Sequence, residues 1–258
     1  MTRVEQSGTI GDRRLSRAPR RTAAFTLLDV LVTMAVISVL IAILSPALSS
    51  IRESARQVVC RSNVRQMGIG ISLFAENNKD LIPPSVNSPL GQGNAGDPWD
   101  TMELRLADAN GQPGMWDGIG HLYEEQILPA PRLFYCPSHH GNHPYADYSG
   151  AWSGGVSGIV GNFQYRAAGL SQRRTLANPN PQTAFLSRML PQSALVADGM
   201  RTQEDFNHSV GANVLRAGLS VDWWRDPGTF VDHLPKDGQV PSSTDMQIVW
   251  DWLDSAPH

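Results

Sequence analysis

Asp29 opens a run of 22 consecutive uncharged positions, residues 30–51. A carboxylate there costs up to roughly 2.5–3.5 kcal/mol if it is carried deep into a bilayer, so it needs either a cationic partner or a structural role at a helix start. Thr26, three residues upstream, offers such a role, because Thr-x-x-acid is a capping-box pattern and an acid in the first turn also suits the helix dipole. Cys60 and Cys136 are the only cysteines, so a single internal disulfide is the most they can form. A bridge closing so long a loop would add roughly 4–5 kcal/mol on the loop-entropy view; the alternative is two buried thiols that never meet. Cys136-x-x-His139-His140-x-x-His143 holds donor types suited to zinc or copper. Pro137, Gly141, Asn142 and Pro144 within it read instead as a solvated loop, and no residue is assigned to a metal. Asp198, Glu204, Asp205, His208 and Ser209 lie close in sequence and include acid–base and nucleophile types. GxSxG, HExxH, GxxxxGK[ST] and a GxGxxG following a strand are nevertheless all missing. The expectation is a non-enzyme with no cofactor.

The elements that position these residues follow from charge and hydropathy. The chain has 258 residues and a net charge of −3. Six arginines against Glu5 and Asp12 make residues 1–24 +4, which leaves −7 for the rest. An acidic body with scattered charges argues against nucleic acid as the main partner, because phosphate binding needs a concentrated basic face. As a helix, residues 30–51 reach roughly 33 Å, enough to cross a bilayer, and the arginine-rich side should stay in the cytoplasm. The densest part, residues 30–44, has the length of a cleavable signal core, and Ala47-Leu48-Ser49 is a passable signal-peptidase site.

Beyond the apolar run, Cys60, Val64, Met67, Ile71 and Phe74 recur at helical spacing and predict a buried stripe on a continuing helix. Gly68-Ile69-Gly70 within it reads as a place where helices approach closely. Asn77-Asn78 and Pro83-Pro84 should end the helix. Residues 83–118 hold six Gly and five Pro in 36 positions and read as a long irregular connection. A short helix is expected over 119–128 and brief strands over 133–136, 159–165, 194–197, 212–216 and 219–224. Met246, Val249, Trp250 and Leu253 predict a closing amphipathic helix. Trp223, Trp224, Trp250 and Trp252 read as core and lid of the sheet. The fold expected is α+β, with a long N-terminal helix packed on a small antiparallel sheet and long Gly/Pro-rich loops.

The junction RRTAAFTLLDVLVTMAVISVLIAILSPAL resembles the N-terminal signature of type IV prepilins and type II secretion pseudopilins. Phe25-Thr26-Leu27-Leu28 matches the start of the mature chain, Asp29 stands where the family has Glu, Ala24 where it usually has Gly, and Pro46 where pilins often have proline. The resemblance implies cleavage after Ala24 by prepilin peptidase, N-methylation of Phe25, and helices packed into a filament core with other pilin or pseudopilin subunits. In that packing Asp29 would pair with the new ammonium of Phe25 on a neighbouring subunit, and Pro46 would bend the rod. CRSNVRQMGIGISLFAENNKDLIPPS, LFYCPS and HSVGANVLRAGLSVDWW resemble the outer domain of a pseudopilin-like family found in many copies in some bacterial genomes. There Ala217-Gly218 stands where the family has Asp-Gly; the glycine keeps the turn chemistry, and no calcium-type site is carried over.

The organisation expected is a basic leader (1–24), a transmembrane and filament-core helix (25–51) and an extracytoplasmic pseudopilin-like domain (52–258). It would be a single-pass protein of the cytoplasmic membrane, with its N-terminus cytoplasmic and its C-terminal domain periplasmic. Its role would be structural, in protein secretion or a pilus-like fibre. The alternative is a secreted or membrane-anchored extracytoplasmic binding domain behind an ordinary signal or anchor segment.

Overall fold

The computed structural model of the chain describes residues 26–85, 101–108, 110–154, 158–167, 185–208, 210–236, 239 and 243–255. Ala24, Phe25 and Ser209 lie outside the described residues. The fold is α+β. Its elements are, in order, α1 (Leu27–Asn77), β1 (Glu103–Ala107), β2 (Pro113–Trp116), α2 (His121–Glu124), α3 (Tyr145–Tyr148), β3 (Ile159–Val160), β4 (Phe163–Tyr165), β5 (Ala194–Asp198), β6 (Gly211–Arg216), β7 (Val221–Arg225), α4 (Phe230–His233) and α5 (Ser243–Ser255). The chain divides into two compact units at Ser49/Ser50.

The first unit holds the apolar half of α1, whose large side chains from Leu27 to Leu48 are exposed. α1 is long and apolar enough to cross a membrane. Its start is a capping box: Thr26 N and Oγ1 donate to Asp29 Oδ2 at 3.0 and 2.8 Å, and Asp29 N donates back to Thr26 Oγ1 at 3.2 Å. The helix runs on through Pro46.

In the second unit two antiparallel sheets form, in the orders β2-β1-β3 and β4-β5-β6-β7. Both faces of the larger sheet are covered. On one, Cys60, Val64, Met67, Ile71 and Phe74 of α1 are buried in a single cluster with Phe163, Tyr165, Leu195, Val196 and Leu215. On the other, Ala212, Val214 and Trp224 cluster with Phe230 and with Val249, Trp250 and Leu253 of α5. Burying a side chain of this size stabilises by about 1.5–3 kcal/mol, so the α1 stripe is a principal source of the domain's stability. A Cβ on Gly68 would come within 2.6 Å of Leu215 Cδ1, so that glycine admits a strand side chain, whereas one on Gly70 would meet Leu122 Cδ1 of α2 at 3.2 Å, the close helix approach expected of the pair. α5 is tied down by Asp254, which accepts from Arg166 Nη1 at 2.6 Å and from Ala194 N at 2.7 Å.

Three expectations are corrected. Residues 83–118 are not one irregular connection, because β1 and β2 lie within them; Leu104 is fully buried and anchors β1. Residues 133–136 are not a strand: Pro131 starts a 3-10 turn, Pro131–Phe134, its ring fixing a helical φ at the first position. Residues 159–165 split into β3 and β4, which belong to different sheets. The β6–β7 turn also differs in detail. Leu219 N donates to Arg216 O and Arg216 N to Ser220 O, both at 2.8 Å, and the left-handed residue is Leu219 (φ 65°), not Gly218.

Two outcomes are expected. Leu219→Gly should raise stability by about 1 kcal/mol by relieving the left-handed strain, read as a higher urea midpoint at unchanged slope. Asp254→Ala should lower stability by about 3 kcal/mol, because it strands a buried guanidinium whose side chain is 3% exposed. Thermal unfolding of the purified protein measures that loss.

Candidate metal centre

Four distant segments bring four donor side chains together. Cys60 comes from the buried stripe of α1. Cys136 follows the 3-10 turn, which is pinned where Asn63 Nδ2 donates to Tyr135 O (3.3 Å) and Asn162 N to Phe134 O (2.9 Å). Asp198 is the last residue of β5, paired across to Phe163 of β4. His208 precedes β6, its ring edge-on to Trp223 at 5.6 Å.

The ligating atoms of Cys60, Cys136, Asp198 and His208 lie within 4.8 Å of one another, and all four residues are buried. Cys60 Sγ donates to Asp198 Oδ1 at 2.8 Å, Cys136 Sγ lies 3.6 Å from His208 Nε2, and that nitrogen lies 3.7 Å from Asp198 Oδ2. The cysteines are brought together as expected for a bridge, but they stand as two free thiols. Each sulfur is turned to a polar partner, Cys60 to Asp198 and Cys136 to His208.

A surrounding layer fixes these groups. Asp198 Oδ2 accepts from Asn213 N at 2.5 Å and Asn213 Nδ2 at 3.0 Å. His208 Nδ1 bonds Glu53 Oε1 at 2.7 Å. Glu53 in turn accepts from Ser138 Oγ at 2.9 and 3.0 Å. His208 therefore presents Nε2 inward, with its other nitrogen held by a carboxylate.

The electrostatics are those of a closed site. Burial raises the Cys60 thiol, an effect reinforced by Cys136 and Asp198, and burial also raises the Asp198 carboxyl. Burial pulls down on the His208 imidazole, but Cys136, Asp198 and Glu53 outweigh it and push it up to about 9. Burial works to raise Cys136 as well, yet its bonds to Cys60 and His208 leave that thiol lowered. Carboxylate and amide partners thus orient His208 and Asp198, and a hydroxyl holds Glu53 in turn. A cleft of about 400 Å³ lies against the outer side of Cys136, lined also by Val59, Asn63 and Tyr135.

The loop after Cys136 is solvated in part: Pro137, His140, Asn142 and Pro144 are exposed, whereas His139 and His143 turn inward. His139 Nδ1 bonds Asn207 Oδ1 at 2.8 Å, His143 Nδ1 bonds the Tyr148 hydroxyl at 2.7 Å, and the His139 side chain is only 3% exposed. His139 Nε2 and Asp205 Oδ1 are buried 3.9 Å apart. Of the residues close to His208 in sequence, Asp198 joins the cluster, while Asp205 is turned to Thr202 and His139.

Glu53, Ser138 and Asn213 were not identified from the sequence. Two signals point to them: Glu53 is seven residues, two helical turns, before Cys60, and Asn213 lies on β6 beside the end of β5, next to the Ala197↔Val214 pair. The chain matches no protein-family model, no curated protein and no solved structure.

Burial, opposed by the bond to Asn207, holds His139 below the ordinary histidine range. The unfolded chain therefore binds the extra proton first, and the stability that His139 contributes is lost as pH drops below about 6.5 toward the folded value. His208, raised to about 9, acts in the opposite sense over the upper part of that range. The urea midpoint of the unaltered protein should therefore fall relative to that of His139→Gln between about pH 7.5 and pH 5. Equal slopes in both proteins would refute this assignment.

Proposed function

We propose that this protein is a prepilin-like structural subunit. In this reading the arginine-rich leader stays in the cytoplasm, prepilin peptidase cuts after Ala24, Phe25 is N-methylated, and residues 25–51 hold the chain in the cytoplasmic membrane until they pack with other pilin or pseudopilin subunits. Residues 52–258 face the extracytoplasmic side. The role is mechanical rather than catalytic: a pseudopilus for protein secretion, or a pilus-like fibre.

The observation that carries the reading is α1 itself, a single 51-residue helix with Asp29 in its first turn and Pro46 inside it. Its apolar half is exposed throughout, while its second half supplies the buried stripe of the head. A lone anchor needs only the first half. A filament subunit uses both halves, the first for packing with other subunits and the second as the spine of its head.

Asp29 suits two roles at once. Both capping bonds from Thr26 use Oδ2. The other oxygen suits a neighbouring Phe25 ammonium, and in low dielectric that pair would set the axial step between subunits.

Mass spectrometry of the membrane-extracted protein tests the reading. A mature chain starting at N-methyl-Phe25 supports it. A terminus near Ser50 supports a secreted domain instead, and an intact Met1 supports a permanent anchor; either outcome overturns the filament reading. Asp29→Ala should insert in the membrane normally yet lose at least about tenfold in filament yield by cross-linking and electron microscopy.

A further inference from the structure

We propose that Cys60, Cys136, Asp198 and His208 form a four-coordinate site for a divalent ion of zinc type, which fastens α1 to the head. The proposal goes beyond the filament reading and does not rest on it.

The donor set selects the ion. Two sulfurs, one imidazole nitrogen and one carboxylate oxygen suit zinc, whereas calcium and magnesium take oxygen ligands. The geometry is close to what zinc needs. With zinc–ligand bonds near 2.0–2.3 Å, the edges of a tetrahedron run roughly 3.3–3.8 Å. The Cys136–His208 and His208–Asp198 distances, 3.6 and 3.7 Å, fall in that range. The Cys60–Asp198 contact, at 2.8 Å, is a thiol hydrogen bond that must open as the thiol proton leaves and the sulfur turns to the ion.

The surrounding contacts argue most strongly. The Glu53–His208 pair is the carboxylate–histidine arrangement that fixes a ligating ring, and Asn213 orients the Asp198 carboxylate through two bonds. Ser138 then holds Glu53, so every ligand except the sulfurs is oriented by a second group. Packing alone would not place an acid and an imidazole beside two buried thiols at the helix–sheet contact, because the acid and the imidazole cost free energy there unless matched. A dication matches the set, and Cys136 lines a cleft on its outer side. Coordination sends the thiol protons and the Nε2 proton of His208 to solvent, which leaves His208 neutral with Nδ1–H donated to Glu53.

The test uses the full-length protein purified in detergent. Elemental analysis of the protein as isolated should find close to one zinc per chain. After chelator treatment under reducing conditions, titration with cobalt(II) should give thiolate-to-cobalt charge transfer and intense tetrahedral bands, both bleached by zinc. Cys136→Ser should lose about half of the charge-transfer intensity, and Glu53→Gln should weaken zinc binding by roughly 10–100-fold. His121→Ala, in a residue paired to Glu124 on α2, should leave binding unchanged. Cobalt spectra without charge transfer, or charge transfer unaffected by Cys136→Ser, would overturn the proposal. So would a metal-free isolated protein with a Cys60–Cys136 disulfide. Should a variant fail to fold, the cobalt spectrum of the unaltered protein decides alone.

Discussion

The fit of one helical stripe against one sheet is the constraint on which the rest of the head depends. Cys60, Val64, Met67, Ile71 and Phe74 lie within 5% of complete burial and meet Leu195, Val196 and Leu215. The approach is close because position 68 has no side chain to hold the helix away from Leu215. The other face of the sheet carries α5, so the central strands β5 and β6 are buried along their whole length. Polar groups on such strands must find partners inside the protein. Arg216 of β6 reaches the Leu253 and Gln192 carbonyls, and Arg166, just past β4, reaches Asp254, which ties these two arginines to the α5 side.

The same constraint explains why chemistry accumulates at the N-terminal end of the stripe. Cys60 is one turn before Val64, still on the sheet-facing side, so its neighbours are set by where β5 ends and where the chain enters β6. Those positions are occupied by Asp198 and His208. With Glu53 two turns earlier on α1, one helix face supplies a sulfur and, through a carboxylate, the orientation of an imidazole. A polar cluster at a helix–sheet seam resists sliding in a way that apolar contact does not, because displacing the helix would leave several buried groups unmatched at once.

Much of this arrangement was legible in the amino-acid order, and the part that was not has identifiable causes. The stripe and the closing helix follow from periodicity, which survives wherever one side of an element is buried and the other is not; β5 and β6, buried on both faces, show instead as short apolar runs bounded by turn residues. Strand β2 did not announce itself: Pro113-Gly114 is a poor strand former, and only its pairing with β1 holds it extended. Residues 133–136 are ambiguous because the apolar tetrapeptide Leu-Phe-Tyr-Cys suits a strand as well as the end of a 3-10 turn that begins at Pro131. The histidine-rich loop is exposed at Pro137, His140, Asn142 and Pro144 as its composition suggests, but Asn207 and Tyr148 draw His139 and His143 inward, which local composition does not signal. Asp198, His208 and the cysteines were each visible as reactive types, but their convergence depends on tertiary topology. Nothing local links Cys60 to an aspartate 138 positions later.

That long separation bears on how the molecule comes into being. The contact between Cys60 and Asp198 spans more than half the chain, and pairings of such high sequence distance form late in folding. While β5 and β6 are still being synthesised, the stripe of α1 has no sheet to cover it, and an amphipathic helix with a bare greasy face is open to aggregation. The head is therefore at its most vulnerable during birth rather than in its finished state, and accessory proteins that shield nascent apolar helices would matter more to its yield than any gain in final stability.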